Sequence, residues 1–249
     1  MIELKTTSEI KKMSEACKIS AQALKLAGDY MKPGVSTKEI DDAIRKFIVS
    51  TGAKPSFLGY GGFPGSACIS VNNVVIHGIP SKEIVLKDGD IVSVDVGAFY
   101  DGFHGDNAYT YTVGEVSPEA KQLLRVTEEC LYKGIDAAKI GNRIGDISNA
   151  VQTHAESFGY GVVKKFVGHG VGRQLHEDPE VPNFGKAGRG PRLAAGMTLA
   201  IEPMINLVGE DVKVLSDGWT TVTTSGSIAA HFEHTIVITS DGAKILTKA

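Results

Sequence analysis

Two acidic residues inside a pair of apolar segments constrain the fold of this chain more than any other feature. Residues 91–97 are apolar around Asp95, and residues 103–106 end at Asp106 after a turn at residues 100–102. The pattern predicts a β-hairpin with one acid on each strand. A buried carboxylate is costly unless a positive group meets it, and neighbouring carboxylates raise each other's pKa. A divalent cation held between the strands meets both needs.

The composition is typical of a globular protein with one core. The 249 residues are 42% hydrophobic and 22% charged, with a net charge of −3, so a single domain over residues 1–249 is expected. No block of Lys and Arg stands out, and we predict neither nucleic acid nor an anionic membrane as partner. No apolar run is long enough for a transmembrane helix, and no signal peptide is visible. Three cysteines without CxxC spacing indicate reduced thiols and a cytoplasmic protein.

The order of helices and strands repeats along the chain. Apolar periodicity predicts helices at residues 8–31, 36–49, 117–138 and 143–158. Ser36 and Glu39 form a capping-box pattern, and Pro118 suits the first position of the third helix. Besides the hairpin, strands are predicted at residues 68–71, 74–77, 160–166, 198–204, 212–215, 219–224 and 227–239, with a long loop at 167–195. The repeated order suggests two related halves in one α+β fold.

Three further residues are candidates to share the cation with the hairpin. Glu202 and Glu233 each interrupt an apolar, strand-like run, and His169 lies among glycines in the long loop. Taken singly, such an acid is often paired with Lys or Arg or faces solvent, and a loop histidine is often only structural. Four acids with few basic residues in the same segments make four separate ion pairs a poor explanation. A shared cation site is the better hypothesis.

The ligand types limit the metal and its chemistry. Four carboxylates and one imidazole form an oxygen-rich set that suits Mn, Fe, Co or Zn. Four carboxylates around one divalent ion leave excess negative charge, which two ions bridged by carboxylates balance better. Two metals roughly 3.5–4 Å apart can hold a bridging hydroxide as nucleophile. The sequence therefore predicts a hydrolase with two divalent ions.

The ordered set Asp95, Asp106, His169, Glu202 and Glu233 resembles that of the bacterial type I methionine aminopeptidases. The resemblance also rests on the local phrases Cys68-Ile69-Ser70-Val71-Asn72, His77-Gly78-Ile79-Pro80, Gly168-His169-Gly170-Val171-Gly172, Ile201-Glu202-Pro203 and Phe232-Glu233-His234. It extends from about residue 7 to the last residue. The resemblance implies the pita-bread fold, with two pseudo-symmetric αβ halves, a curved central antiparallel sheet and the metals between the halves.

The resemblance also implies roles for the ligands. Asp95 would chelate one metal, and Asp106 and Glu233 would bridge both. His169 and Glu202 would complete the second site, with Glu202 also the expected proton shuttle.

Two histidines outside the ligand set are expected to contact the substrate. The family's counterpart of His77 contacts the scissile amide, and that of His176 helps to hold the carbonyl oxygen. The first-residue pocket would be lined by Tyr60, Phe63, Cys68, Leu175 and Trp219. This lining suits a slim, unbranched Met side chain, although aromatic residues such as Phe63 and Trp219, taken alone, more often belong to a core. The second substrate residue is expected to be small.

The implied activity is removal of the initiator Met from nascent chains, near the ribosome and by a monomer. The sequence departs from common family patterns at Gly61, Asn73, Ile76, Leu175 and His231, which affects the pocket rim rather than the ligands. An Xaa-Pro aminopeptidase or prolidase on the same fold is an alternative, although such proteins usually carry an additional N-terminal domain for which the early first helix leaves no room. A non-catalytic binding protein would have lost ligands, and a type II enzyme would need more than the 25 residues between His176 and Glu202.

Overall fold

Two helix pairs, one in each half of the chain, frame the computed structural model, which describes all 249 residues. The helices are α1 (Thr7–Gly28), α2 (Thr37–Ser50), α3 (Pro118–Ala137) and α4 (Ile144–Ser157). The four predicted helices are confirmed, but the predicted end of the first at residue 31 is wrong. The backbone N–H groups of Asp29, Tyr30 and Met31 bond three residues back, which tightens the chain into turns beyond Gly28.

The helix ends follow the local sequence signals. Ser36 accepts a hydrogen bond from the backbone N–H of Glu39, and the Glu39 carboxylate accepts one from the backbone N–H of Ser36, as the capping-box pattern predicts. Pro118 occupies the first turn of α3 after the capping residue Ser117. None of the helices is both long and apolar enough to cross a membrane.

The strands divide between the two halves as the helices do. In the first half they are β1 (Lys54–Pro55), β2 (Ala67–Val71), β3 (Val74–Ile76), β4 (Ile91–Tyr100) and β5 (Phe103–Thr112). In the second half they are β6 (Gly161–Val162), β7 (Gly168–Gly170), β8 (Glu177–Val181), β9 (Thr198–Ile201), β10 (Met204–Asn206), β11 (Val212–Val214), β12 (Thr221–Thr223), β13 (Ala229–His231), β14 (His234–Thr239) and β15 (Gly242–Ile245). Neighbouring strands pair in antiparallel register throughout.

The predicted hairpin is the longest strand pair, β4 with β5. Its two-residue turn has Asp101 at φ 47° and Gly102 at φ 84°, the left-handed pair that matches the twist of the flanking strands. Asp95 lies opposite Ala108, and Asp106 lies opposite Gly97. Because side chains alternate between faces, this register puts both acids on the same face of the hairpin.

Each half buries its helices against its own strands. In the first half, α1 and α2 cover the sheet formed by β1, β2, β4 and β5, with the α2 residues Ile40, Ile44 and Ile48 in the core. In the second half, α3 and α4 pack over strands that include β9, β10 and β13. The apolar stripe of each helix explains why it packs on the sheet. Removing apolar surface from water stabilises the folded chain by about 25 cal/mol per Å².

The two halves meet along β5. The backbone N–H of Glu233 donates to the Ala108 carbonyl at 2.9 Å. The Thr235 hydroxyl donates to the Asp106 carbonyl at 2.7 Å and accepts from the Asp106 N–H at 3.2 Å. Farther along, the Thr110 hydroxyl donates to the His231 carbonyl at 2.8 Å. We call this contact between β5 and residues 231–235 the seam.

Several predictions for the second half are wrong in detail. The predicted loop at 167–195 contains β7 and β8, and the predicted strand at 160–166 shrinks to Gly161–Val162. The predicted strands at 198–204 and 227–239 are each broken, the first at Glu202 and Pro203, where proline has no N–H to donate to a ladder. Both breaks carry one of the candidate acids. The hairpin strands predicted at 212–215 and 219–224 are confirmed as Val212–Val214 and Thr221–Thr223.

A Thr235→Val substitution tests the seam. The change keeps the shape of the side chain but leaves the N–H and carbonyl of Asp106 without their partner, so we expect the free energy of unfolding to fall by about 1–3 kcal/mol. Urea denaturation with a chelator present measures it. Thr153→Val, at an exposed helical site, is the control and should stay within about 0.5 kcal/mol of the parent. Equal stability of the two variants would show that the Thr235 hydrogen bonds to Asp106 do not stabilise the fold.

Candidate active site

One cavity of about 150 Å³ between the two halves gathers the predicted site residues. Its lining consists of Phe57, Tyr60, Phe63, Cys68, His77, Asp95, Asp106, His169, Leu175, His176, Glu202, Trp219 and Glu233. Every residue predicted for metal binding, catalysis or substrate contact lies in this lining, and Phe57 joins them. The chemical roles of these residues stay predictions, but their assembly in one place is a property of the fold.

Two of the four acids are buried, and the other two, Asp95 and Glu202, are partly buried. Asp106 is 4% and Glu233 2% exposed, and no lysine or arginine lines the cavity. One carboxylate oxygen on each of Asp95, Asp106 and Glu233 is buried with no hydrogen-bond partner. Unpaired buried carboxylates cost free energy that a bound cation removes. The donor set therefore fits a divalent metal.

The positions of the ligand atoms agree with that fit. Ligand atoms of Asp106, His169 and Glu233 all lie within 4.8 Å of one another. The Nε2 of His169 lies 3.5 Å from a Glu202 oxygen and 3.9 Å from an Asp106 oxygen. The Nδ1 of His169 donates to the Gly170 carbonyl at 2.8 Å, which leaves Nε2 free to bind a metal. Asp95 lies in the same cavity but outside this three-residue group.

Burial shifts the protonation of the acids. It raises the pKa of Asp95 and of Asp106 well above the usual value, with the Asp106 charge adding to the effect on Asp95. The pKa of Glu233 rises well above its usual value for the same reason, and that of Glu202 rises to about 8 through burial. Without a cation, the raised pKa values favour protonation of this group. A divalent ion would replace the protons and favour the charged carboxylates.

His77 is held in an uncommon backbone conformation at the end of β3. Its φ of 58° is left-handed, which is rare for a residue with a side chain and clusters at functional sites. The ring meets Phe166 and Trp219 edge-on, with centroids 5.5 and 6.1 Å away. Burial, then the charges of His231 and His176, lower the pKa of His77 to about 4. At neutral pH it is a neutral imidazole that can donate one hydrogen bond and accept another.

His176 is held by another residue of the cavity lining. Its Nδ1 hydrogen-bonds the Tyr60 hydroxyl at 2.7 Å, and its ring lies 4.3 Å from that of His169 between centroids. Burial lowers the pKa of His176. The remaining ring nitrogen of His176 is thus available to a group bound beside His169.

The side of the cavity away from the acids is apolar. Phe57, Phe63, Cys68 and Leu175 form a small buried cluster, and Trp219 packs edge-on against Phe63 with centroids 5.2 Å apart. A cavity of about 150 Å³ holds a group the size of benzene. The space therefore suits one short unbranched side chain, with its attached backbone next to the acids.

Two residues near the site were not found as site residues from the sequence. Phe57 gave no signal beyond an aromatic residue in a glycine-rich loop. His231, noted only as a departure from family patterns, is buried with its Nε2 3.5 Å from a Glu202 oxygen, and burial lowers its pKa to about 3. Its place two residues before Glu233 was the available clue, since alternate residues of a strand share a face.

Comparisons with known proteins agree with this geometry. The model of metallopeptidase family M24 matches residues 11–240, and the chain belongs to this family. Similar relatives include methionine aminopeptidase 1 of Bacillus subtilis, 53% identical with full coverage of both chains, and the methionine aminopeptidase of Clostridium acetobutylicum, 52% identical over 99% of each. The predicted resemblance to methionine aminopeptidases is confirmed.

Solved structures confirm the predicted fold class. The crystal structure of methionine aminopeptidase from Thermotoga maritima superposes with a TM-score of 0.98 at 51% identity, with all of both chains covered. The prolidase from Pyrococcus horikoshii matches with a TM-score of 0.81 at 26% identity, over 99% of this chain and 63% of that one. The chain has the α+β pita-bread fold, with two pseudo-symmetric αβ halves around a curved antiparallel sheet.

The raised pKa of Glu202 predicts proton release on metal binding. With a pKa of about 8, the carboxyl is mostly protonated at pH 7, and a divalent ion must displace that proton to bind there. We expect Mn²⁺ to release about one proton or more per protein at pH 7, and to bind more tightly as the pH rises from about 6 to 8. Titration calorimetry in two buffers of different ionisation enthalpy measures the release.

Glu202→Gln is the matched variant for this titration. Because glutamine has no proton to lose, it should release fewer protons than the parent protein. Binding heats that are the same in both buffers for the parent would show that metal does not displace protons at this site.

Proposed function

We propose that this chain, as a single metallopeptidase domain, is a methionine aminopeptidase that hydrolyses the bond after the initiator Met when the second residue is small. The observation that carries the proposal is the joint lining of one cavity by buried acids and an apolar pocket. An exopeptidase needs both, because one group must hold the terminal side chain while another acts on the adjacent amide. Relatives with that name at 52–53% identity over nearly the whole chain support the choice.

The proposed centre holds two divalent ions, of Co, Mn, Fe or Zn. Asp95 would serve one ion, Asp106 and Glu233 both, and His169 and Glu202 the other. Divalent metal supplies a Lewis acid and lowers the pKa of a bound water from about 15.7 to near 7. The excess of carboxylates supports two ions rather than one, since a single divalent charge leaves the buried group negative.

Glu202 is the proposed proton carrier. Its carboxyl faces the imidazoles of His169 and His231 at 3.5 Å each, and a carboxylate whose proton the metal has displaced can accept a proton and return it. A general acid and base in a peptide hydrolysis must receive the proton of the attacking water and deliver it to the leaving amine. The proposal is supported by the position of Glu202 in the lining of the cavity where the scissile amide would bind.

His77 and His176 are proposed to bind the amide on either side of the reacting carbon. The neutral His77 would hydrogen-bond the amide nitrogen, and the free ring nitrogen of His176 would donate to the carbonyl oxygen. Donors fixed in a buried site stabilise the charge that develops there more than water does. The Tyr60 hydrogen bond to His176 supports this assignment because it orients the ring before substrate binds.

The first-residue pocket would be formed by Phe57, Phe63, Cys68, Leu175 and Trp219, with Tyr60 at its mouth. The proposed substrates are nascent polypeptide N-termini, met in the cytoplasm near the ribosome by a monomeric enzyme. The second residue would lie beside the acids, where little space remains, so a small side chain is favoured.

Peptide hydrolysis by the Mn²⁺-loaded protein tests the substrate. We expect Met-Ala-Ser to be cleaved with a kcat/KM about 10–200 times that of Leu-Ala-Ser, since a branched or misplaced methyl group in a fitted apolar pocket costs about 1–3 kcal/mol. Ala-Pro and other Xaa-Pro peptides are the comparison for the prolidase alternative. Faster release of proline-linked residues than of Met would overturn the proposed substrate.

His77→Ala tests the amide contact. Loss of this hydrogen bond to the scissile amide should lower kcat by about 100-fold or more, with metal content unchanged because His77 is not a proposed ligand. Elemental analysis and steady-state rates on Met-Ala-Ser measure both. His154→Ala, at a helix surface where it pairs with Glu129, is the matched control. Undiminished turnover by the metal-loaded variant would remove His77 from the reaction.

A further inference from the structure

Lys5 is a buried lysine at the start of the chain that the proposed reaction does not use. Its side chain is only 2% exposed, and its ammonium lies 2.6 Å from a Glu177 oxygen, whose side chain is 12% exposed. The other nearby acid, Glu3, is 3.4 Å away and mostly exposed. A buried ammonium needs a fixed partner, so Glu177 is the group that holds Lys5 in place.

The ion pair fits because Gly172 has no side chain. A Cβ at Gly172 would lie 2.4 Å from the Lys5 side chain and 2.8 Å from Glu177 Oε1. The backbone N–H of Lys5 donates to the Gly196 carbonyl at 2.8 Å. The other Glu177 oxygen accepts the backbone N–H of Gln174 at 3.1 Å. The Lys5 ammonium therefore lies against the loop of residues 171–176 and is linked to it through Glu177.

That loop carries His176 of the candidate active site and follows β7, which carries His169. Glu177 directly follows His176, and it opens β8 opposite Gly170, the neighbour of His169. Lys5 and Glu177 are absent from the lining of the catalytic cavity, so neither touches the reacting atoms. Their contact acts on the site only through the backbone that holds His176.

We infer that the buried Lys5–Glu177 ion pair is a positioning device for His176, an inference that rests on the proposed function. Buried ion pairs often add little net stability, so the contact between Lys5 and Glu177 acts on geometry rather than on stability. Without Lys5, Glu177 and the His176 loop that it bonds through the Gln174 N–H would be free to move. A displacement of about 1 Å of a catalytic group can cost about 100-fold in rate.

The chain offers a matched control on the next residue. Asp178 pairs with the ammonium of Met1 at 2.5 Å, and both groups are exposed. Exposed ion pairs contribute little, so Asp178→Asn should leave kcat on Met-Ala-Ser within about twofold of the parent. Lys5→Met and the double variant Lys5→Met/Glu177→Gln remove the buried pair. The glutamine of the double variant keeps an acceptor for Gln174 and avoids an isolated buried charge, which protects folding if Lys5→Met alone fails.

The kinetic test uses the metal-loaded full chain. We expect the double variant to lose about tenfold or more in kcat, with a smaller change in KM. Adding it to His176→Ala should cost little beyond His176→Ala alone, because both changes remove the same interaction. A merely structural role gives additive losses, and additive losses would overturn the inference.

A spectroscopic test separates this inference from the proposed activity. In protein with ¹⁵N-labelled histidine, the His176 ring signals, assigned with His176→Ala, should shift in the double variant and stay in place in Asp178→Asn. Unshifted signals in the double variant would overturn the positioning role. If the parent protein fails to cleave Met-Ala-Ser, the proposed function is wrong, and the spectra still decide whether the ion pair positions His176.

Discussion

Four carboxylates lie between the two halves of this protein, two of them buried and two partly buried, and no lysine or arginine lines their cavity. Folding removes them from water, which destabilises the charged form, and their pKa values rise as a result. Proton uptake is one way to offset that cost, and binding of a divalent cation is the other. The metal site of this family thus follows from an electrostatic constraint that the rest of the fold has to maintain.

The seam keeps the four carboxylates together. Asp106 belongs to a strand of the first half, whereas Glu233 belongs to the second, and the backbone bond between Ala108 and Glu233 brings their segments side by side. The Thr235 hydroxyl bonds both the N–H and the carbonyl of Asp106. Neither half contains the complete acid group, so the chemistry depends on how the halves dock. The same docking encloses the apolar pocket next to the acids, which joins substrate selection to hydrolysis.

The sequence predicted the hairpin, the helices and the acids because each leaves a local signal, such as an acid in an apolar strand or a capping box at Ser36. It missed β7, since Gly168-His169-Gly170 has no strand propensity and is a strand only through its pairing with β9. It also missed the place of His231 beside Glu202 and the burial of Lys5, both of which result from long-range packing. Local patterns report on propensity and burial, whereas partners far apart in the chain appear only once the fold is known.

Anomalous diffraction from crystals soaked in Mn²⁺ locates the cation that the four carboxylates require. Two peaks are predicted in the cavity, roughly 3.5–4 Å apart, with oxygens of Asp106 and Glu233 contacting both and the Nε2 of His169 contacting one. A cavity without a peak at saturating Mn²⁺, or peaks bound by neither Asp106 nor Glu233, would show that these carboxylates do not form a divalent metal site.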